Sequence, residues 1–174
     1  MKVVILNGSP RKGNTLDAIE AFAKGASVNN EVEIINCYGL NVAPCKGCGA
    51  CGMKNGCVDT DDTNEIIGKI VAADFILFAS PVYWWGITAQ LKTVIDKCYS
   101  QGMKLKNKKI GVVIVGGAAE NSPQYKLIEQ QFDMMQAYLS WDKQFYKGYS
   151  ANARGELAAN EAVMAEMEAL GKAL

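Results

Sequence analysis

Cys45, Cys48, Cys51 and Cys57 stand in the run PCKGCGACGMKNGC, four thiols within thirteen residues. Gaps of two, two and five residues put four potential thiolates on one short loop, where a single metal centre could collect them. Thiolates are the usual ligands of iron-sulfur clusters and are also taken by zinc, although structural zinc sites typically use two separated Cys-x2-Cys pairs rather than one crowded run. The residues leave three states of the loop open: an iron-sulfur cluster, a zinc site, or a loop that is empty or closed by disulfides. Cys37 and Cys98 fall in a strand pattern and on a helical apolar stripe, where core packing is the expected role.

A second chemical feature follows the apolar run VVIL at 3–6. The segment Asn7, Gly8, Ser9, Pro10, Arg11, Lys12, Gly13, Asn14, Thr15 leads directly into a helical pattern. Glycines let the backbone fold tightly, the hydroxyls of Ser9 and Thr15 can donate, and helix N-terminal amides face an anion. The segment nearly satisfies the Walker pattern, but Asn14 stands where lysine is required, so a monophosphate suits it better than a triphosphate. The plainer reading is a turn with an ordinary cap at Asn14 or Thr15.

Two more apolar runs end in suggestive residues. One passes into Ser80, Pro81, Val82, Tyr83, Trp84, Trp85, Gly86, and three consecutive aromatics on a connecting loop call for a flat apolar ligand or a partner subunit. The other ends in Gly116, Gly117, Ala118, Ala119, Glu120, small residues that allow close approach to a ring system or simply turn the chain. Gly47, Gly49 and Gly52 formally spell GxGxxG, but they lie inside the cysteine loop, follow no strand and open no helix, so they are not a dinucleotide fingerprint.

Composition narrows the function class. The chain of 174 residues contains no histidine, which removes Ser-His and Cys-His nucleophile pairs and imidazole acid-base chemistry. Eighteen basic residues balance eighteen acidic ones, so no overall field steers it to nucleic acid or an acidic membrane. The one basic run, Lys104, Lys106, Lys108 and Lys109, reads as a solvated approach to the next strand. The opening MKVVILNGSP is too short in its apolar run for a signal peptide, and no stretch approaches the roughly 20 apolar residues of a membrane span. A cytoplasmic protein with reduced thiols is the expectation.

The elements that position these residues alternate in type. Buried strands are expected at 3–6, 75–79 and 110–115, an edge strand at 31–37, and a fifth strand between Trp141 and Tyr149. Trp141, Phe145, Tyr146 and Tyr149 are expected to pack in the core or at an interface. Apolar residues repeat at helical spacing in five segments: Leu16 to Ala26, Ile66 to Val71, Ile87 to Cys98, Tyr125 to Leu139 and Leu157 to Leu170. The series predicts one α/β domain over 1–174, a three-layer doubly wound sheet of five parallel strands, with a cysteine-rich insertion at 44–60. Such sheets bind ligands beyond the carboxyl ends of their strands, where the strand order reverses.

Taken together, GSPRKGNT, the compact cysteine run and AADFILFASPVYWWGITAQLKTVIDK resemble the iron-sulfur flavoproteins of the NADPH-dependent FMN reductase, or flavodoxin-like, superfamily, well over about residues 1–120 and only as pattern beyond. The resemblance implies FMN, its phosphate held by Ser9, Arg11, Asn14 and Thr15 with Lys12 and Gly13 in the same loop. It implies an isoalloxazine ring against Pro81, Tyr83, Trp84 and the Gly116 to Ala118 turn, with Val82, Trp85 and Gly86 beside it. It further implies a [4Fe-4S] cluster on Cys45, Cys48, Cys51 and Cys57, in a homodimer or homotetramer where one subunit's cluster sits near another's flavin. The expected activity is an FMN-dependent oxidoreductase that moves electrons through the cluster to a redox protein or small acceptor, with NAD(P)H as a donor. The alternatives are an NAD(P)H-dependent FMN or quinone reductase without a cluster, a non-enzymatic flavodoxin-like electron carrier, and a zinc-stapled nucleotide-binding module. Relatives in the wider superfamily keep part of the cysteine loop without a cluster.

Overall fold

A computed structural model describes residues 1–174. Five strands, β1 (Lys2–Asn7), β2 (Glu31–Asn36), β3 (Phe75–Pro81), β4 (Lys109–Gly116) and β5 (Asp142–Ser150), form one parallel sheet in the order β2-β1-β3-β4-β5. This is the flavodoxin-like order, and it reverses between β1 and β3. The three strands with near-continuous apolar runs, β1, β3 and β4, lie in the middle, buried on both faces, whereas the alternating β2 forms an edge as its pattern predicts.

Neighbouring residues of each strand serve opposite layers. Val3, Ile5, Phe75, Leu77, Val113 and Val115 meet α1 (Asn14–Ala26) and α5 (Glu161–Lys172) in one core. Val4, Leu6, Ile76, Phe78, Val112 and Ile114 meet α2 (Thr63–Ala72), α3 (Ala89–Lys97) and α4 (Pro123–Leu139) in the other. Helices α1 and α5 touch through their backbones: a Cβ on Gly25 would stand 2.0 Å from the Glu168 carbonyl oxygen, and one on Gly171 2.1 Å from that of Phe22. No side chain fits there. No helix is long and apolar enough to cross a membrane.

The boundaries depart from the sequence reading in instructive ways. Cys37 lies one residue past β2, in a short 3₁₀ turn, and is buried as expected of a packing thiol. Helix α3 begins at Ala89 rather than Ile87, because Thr88 caps it and accepts from the Leu91 N–H. Cys98 passes into a 3₁₀ segment, Cys98–Leu105, rather than ending an α-helix. Leu157 is buried in the turn before α5, where Asn160 is the cap. Trp141 precedes β5, stacks on Phe78, and donates its indole N–H to the Leu105 carbonyl at 2.6 Å. Lys108, read as solvated, instead caps the end of α2 by donating to the carbonyls of Val71 and Ala73, each at 2.7 Å.

Candidate functional site

Two clusters of chemistry-bearing residues emerge. The first is a cavity of about 310 Å³ beyond the carboxyl ends of β1, β3, β4 and β5, at the reversal of strand order. Ser9, Arg11, Lys12, Gly13, Asn14 and Thr15 line it, as do Pro81, Val82, Tyr83, Gly116 and Gly117. A hollow of about 230 Å³ adjoins it across Val82 and Gly117 and takes in Trp84, Trp85 and Ala118. Gly86 lines neither and instead closes the turn that carries the two tryptophans.

The loop after β1 is rigid by construction. Gly8 donates its N–H to the Ala79 carbonyl at 2.8 Å, and the buried Thr88 hydroxyl donates to the Gly8 carbonyl at 2.8 Å. A Cβ on Gly8 would stand 2.8 Å from the Thr88 Oγ1 and 3.0 Å from the Ala79 carbonyl oxygen, so only glycine brings these strands' ends together. The Asn7 side chain accepts from the Ser9 N–H at 2.9 Å and donates to the Asn36 Oδ1 at 2.8 Å. The Ser9 hydroxyl is used within the turn, donating to the Arg11 carbonyl at 3.0 Å. Helix α1 starts after Gly13 with no side-chain cap, so neither Asn14 nor Thr15 takes that role. The Thr15 hydroxyl makes no hydrogen bond within the chain and lines the cavity.

The Asn14 amide is engaged elsewhere, donating to the Ala153 carbonyl at 2.8 Å and accepting from the Leu157 N–H at 3.1 Å. It ties the segment after β5 to the cavity, and that segment supplies Ala151, Asn152 and Arg154, which sequence reasoning missed. The signal was present in the rule that ligands lie beyond strand carboxyl ends, which applies to β5 as to the others. With Arg11, Lys12 and Arg154, three cations line the cavity together with the N-terminus of α1, and no carboxylate does. That combination suits an anion.

Tyr83 to Gly86 form a two-residue hairpin turn, closed by reciprocal N–H to carbonyl bonds of 2.9 and 3.0 Å. Its central residues Trp84 and Trp85 sit at φ of +48° and +61°, the left-handed region that Asn-Gly would normally fill. An L side chain there costs about 1–2 kcal/mol. Yet Trp84 is 91% exposed and Trp85 57%, and the two rings meet edge to face at 5.2 Å. Opposite, the Tyr125 hydroxyl lies within 3.1 Å of the Gly116, Ala118 and Tyr149 carbonyl oxygens and holds the turn after β4 against β5. Burial pushes its ionisation above the ordinary tyrosine value.

The second cluster is the cysteine loop. Cys45, Cys48, Cys51 and Cys57 all line one cleft of about 470 Å³, together with Asp96, Lys97, Tyr99 and Ser100. None of the six cysteines is paired in a disulfide in this structure. No three of the metal-ligating side chains converge on a single-ion site. The cleft is instead about fifteen times the ~30 Å³ share of one liquid water, room for a multi-atom group. The loop glycines Gly47, Gly49, Gly52 and Gly56 all take positive φ, between +54° and +84°, which explains their number without a dinucleotide motif.

The loop is fastened at its ends. Asn41 and Asp62 exchange hydrogen bonds, Ala43 donates to Asp61 at 2.9 Å, and Asn64 holds both the N–H and the carbonyl of Cys57 at 2.8 Å. Burial would raise the Asp61 carboxyl, but hydrogen bonds from Thr63 and from the Ala43 N–H outweigh it and hold it down to about 2. The buried Lys97 ammonium reaches Asp59 at 2.5 Å and the Cys57 Sγ at 3.4 Å. Burial opposes its charge, yet these hydrogen bonds raise its pKa above the ordinary lysine value. The buried Ser100 hydroxyl, beside the same cleft, has no partner. Soft sulfur donors, a roomy cleft and an orphaned hydroxyl fit an iron-sulfur group. Burial pushes the Cys37 and Cys98 thiols up to about 12, which suits them to packing and not to ligation.

The family model described as NADPH-dependent FMN reductase matches residues 1–152. An iron-sulfur flavoprotein of Methanosarcina thermophila is 38% identical over 140 residues, 78% of this chain and 73% of the relative. One from Methanocaldococcus jannaschii is 40% identical over 134 residues, 75% of this chain and 69% of the relative. Among solved structures, the NAD(P)H:quinone oxidoreductase from Methanothermobacter marburgensis shares the fold, with a TM-score of 0.77 over 99% of this chain and 96% of that one at 19% identity.

Proposed function

Because the chain belongs to the NADPH-dependent FMN reductase family and so is a flavin-dependent oxidoreductase, we propose that it passes electrons from a nicotinamide through FMN and a [4Fe-4S] cluster on Cys45, Cys48, Cys51 and Cys57. Bound FMN would supply the exchange of paired for single electrons, and the cluster a one-electron relay. The observation that carries the flavin assignment is the strand-end cavity with three cations, a helix N-terminus and no carboxylate.

In this reading the α1 amides, Arg11, Lys12, Arg154 and the Thr15 hydroxyl hold the phosphate. Ser9 and Asn14 act through the backbone: Ser9 shapes the turn, and Asn14 braces the segment that delivers Arg154. Pro81, Val82, Tyr83, Gly116, Gly117 and Ala118 frame the flat ring, and Arg11, 6.0 Å over the Tyr83 ring, steadies that wall. Trp84 and Trp85, strained and exposed at the rim, are where a second copy of the chain would cover the ring, in a homodimer or homotetramer. The acceptor is a redox protein or a small molecule reaching the same face.

Anaerobically purified protein tests this through its visible spectrum, with iron, sulfide and zinc assayed on the same sample. Flavin bands above a broad absorbance with about four irons per chain are expected. Flavin without iron would support the plain NAD(P)H-dependent FMN or quinone reductase. Colourless protein would overturn both.

A further inference from the structure

Lys97 is the one charged residue among the buried residues of the chain. A buried ammonium persists only where it is paired, and Lys97 has Asp59 at 2.5 Å and Asp61 at 3.9 Å. Those two carboxylates already satisfy the charge. The contact with the Cys57 sulfur at 3.4 Å is extra, and it is the one hydrogen bond any of the four loop thiols receives. Cys57 is also the one whose backbone is clamped on both sides, by Asn64. Lys97 stands in the last turn of α3, where a helix carries partial negative charge. A cation there offsets that field.

We propose that Lys97 is a positioning residue that fixes Cys57 and raises the reduction potential of the iron-sulfur group the four thiolates hold. The inference rests on the cluster reading given above. One-electron reduction adds one negative charge to the group, the electron coming from the flavin in the working protein and from dithionite in a titration. A fixed ammonium against one ligand sulfur stabilises the more negative state, since hydrogen bonds to sulfur and net charge both set such potentials. Asp59 works the other way, partly cancelling the ammonium it anchors. The two residues therefore have opposite signs although they form one ion pair.

The test is a dye-mediated titration of the holoprotein with dithionite, following the cluster by electron paramagnetic resonance. In Lys97→Met the oxidised-to-reduced ratio at a fixed potential should rise tenfold or more, a fall of about 59 mV or more for one electron. Asp59→Asn should move the midpoint upward, and Lys97→Arg should stay within threefold of wild type. Should Lys97→Met fail to fold, Lys97→Gln takes its place, with the same expected fall and the same overturning result. Shifts of the same sign in Lys97→Met and Asp59→Asn, or a Lys97→Met midpoint within threefold of wild type at full iron content, would overturn the inference alone. Wild-type protein without iron would overturn the cluster reading and this inference with it.

Discussion

The strand-end cavity and the cysteine cleft are built on opposite plans. The cavity is made largely of backbone at the ends of buried strands, where Gly8, Ala79 and Thr88 are locked together before any ligand arrives. The cleft is made of side chains on a loop fastened at its ends, by Lys97 and by two backbone bonds to the 100–103 segment, with its four sulfurs facing one space but not gathered. Sheet hydrogen bonds can preorganise an anion site without help. A thiolate site on an extruded loop leaves the final convergence to the group it binds. The same helix joins them, since α3 is capped by Thr88 beside the loop after β1 and ends at Lys97 in the cysteine cleft, a rise of ~13 Å over nine residues.

The sharpest break between the two is expected from Cys48→Ser. It should abolish bound iron altogether and leave flavin content unchanged, measured by iron assay and by flavin fluorescence after gel filtration. Loss of both would show that the cleft and the cavity are not independent. The converse variant is Gly8→Ala, whose methyl would be forced against Thr88 and Ala79. A loss of about 2 kcal/mol in chemical denaturation is expected, within the range for overpacked sites, with weakened flavin retention and normal iron.

Smaller effects grade the cavity itself. Arg154→Ala should weaken FMN binding by about 1.5–3 kcal/mol and Thr15→Ala by about 1 kcal/mol, as fits hydrogen bonds to a charged and a neutral donor. Flavin titration calorimetry on the apoprotein ranks them, and the reverse order would move the phosphate away from the β5 segment. Trp84→Asn should stabilise the apoprotein by about 1 kcal/mol, since Asn tolerates the left-handed region, while loosening association between copies. Denaturant titration and sedimentation read these two outcomes separately.

The least effect at neutral pH belongs to the fastening of the cysteine loop. Asp61 has a folded value of about 2 against an ordinary 3.8. Its contribution to stability is therefore complete above about pH 4 and disappears as the pH falls through 2. Thermal unfolding of the apoprotein across that window should show an acid limb that Asp61→Asn flattens. An unchanged limb in that variant would assign the acid loss to other carboxylates.

Much of this was legible in order along the chain. The runs at 3–6, 75–79 and 110–115 announced central strands because burial on both faces suits runs with no polar residue in alternation. GSPRKGNT announced a tight, cation-bearing loop at a strand end because local turn chemistry needs no distant partner. Arg154 and Asn152 carry no local motif and enter the cavity only because β5 delivers them there. Asn14 was assigned to the phosphate from its place in the loop, but its amide binds Ala153 and Leu157, some 140 residues away in sequence. Thr88 was hidden for the same reason, its cap and its bond to Gly8 being a meeting of two loops. Lys97 reads along α3 as one more charge on an amphipathic helix, yet it follows Leu91 and Val94 at intervals of three and is buried with them.

By itself, then, the sequence determined the layer architecture, the turn chemistry and cations of the first loop and the identity of the four loop thiols. These depend on periodicity, glycine placement and residue type, all of which act over a few neighbours. Only the tertiary structure decided which cations share the cavity, that Trp84 and Trp85 occupy a strained and exposed turn, and that a buried lysine holds Cys57. Those outcomes depend on which strand ends and helix ends meet, and desolvation gives such meetings their energy only once the chain has closed around them.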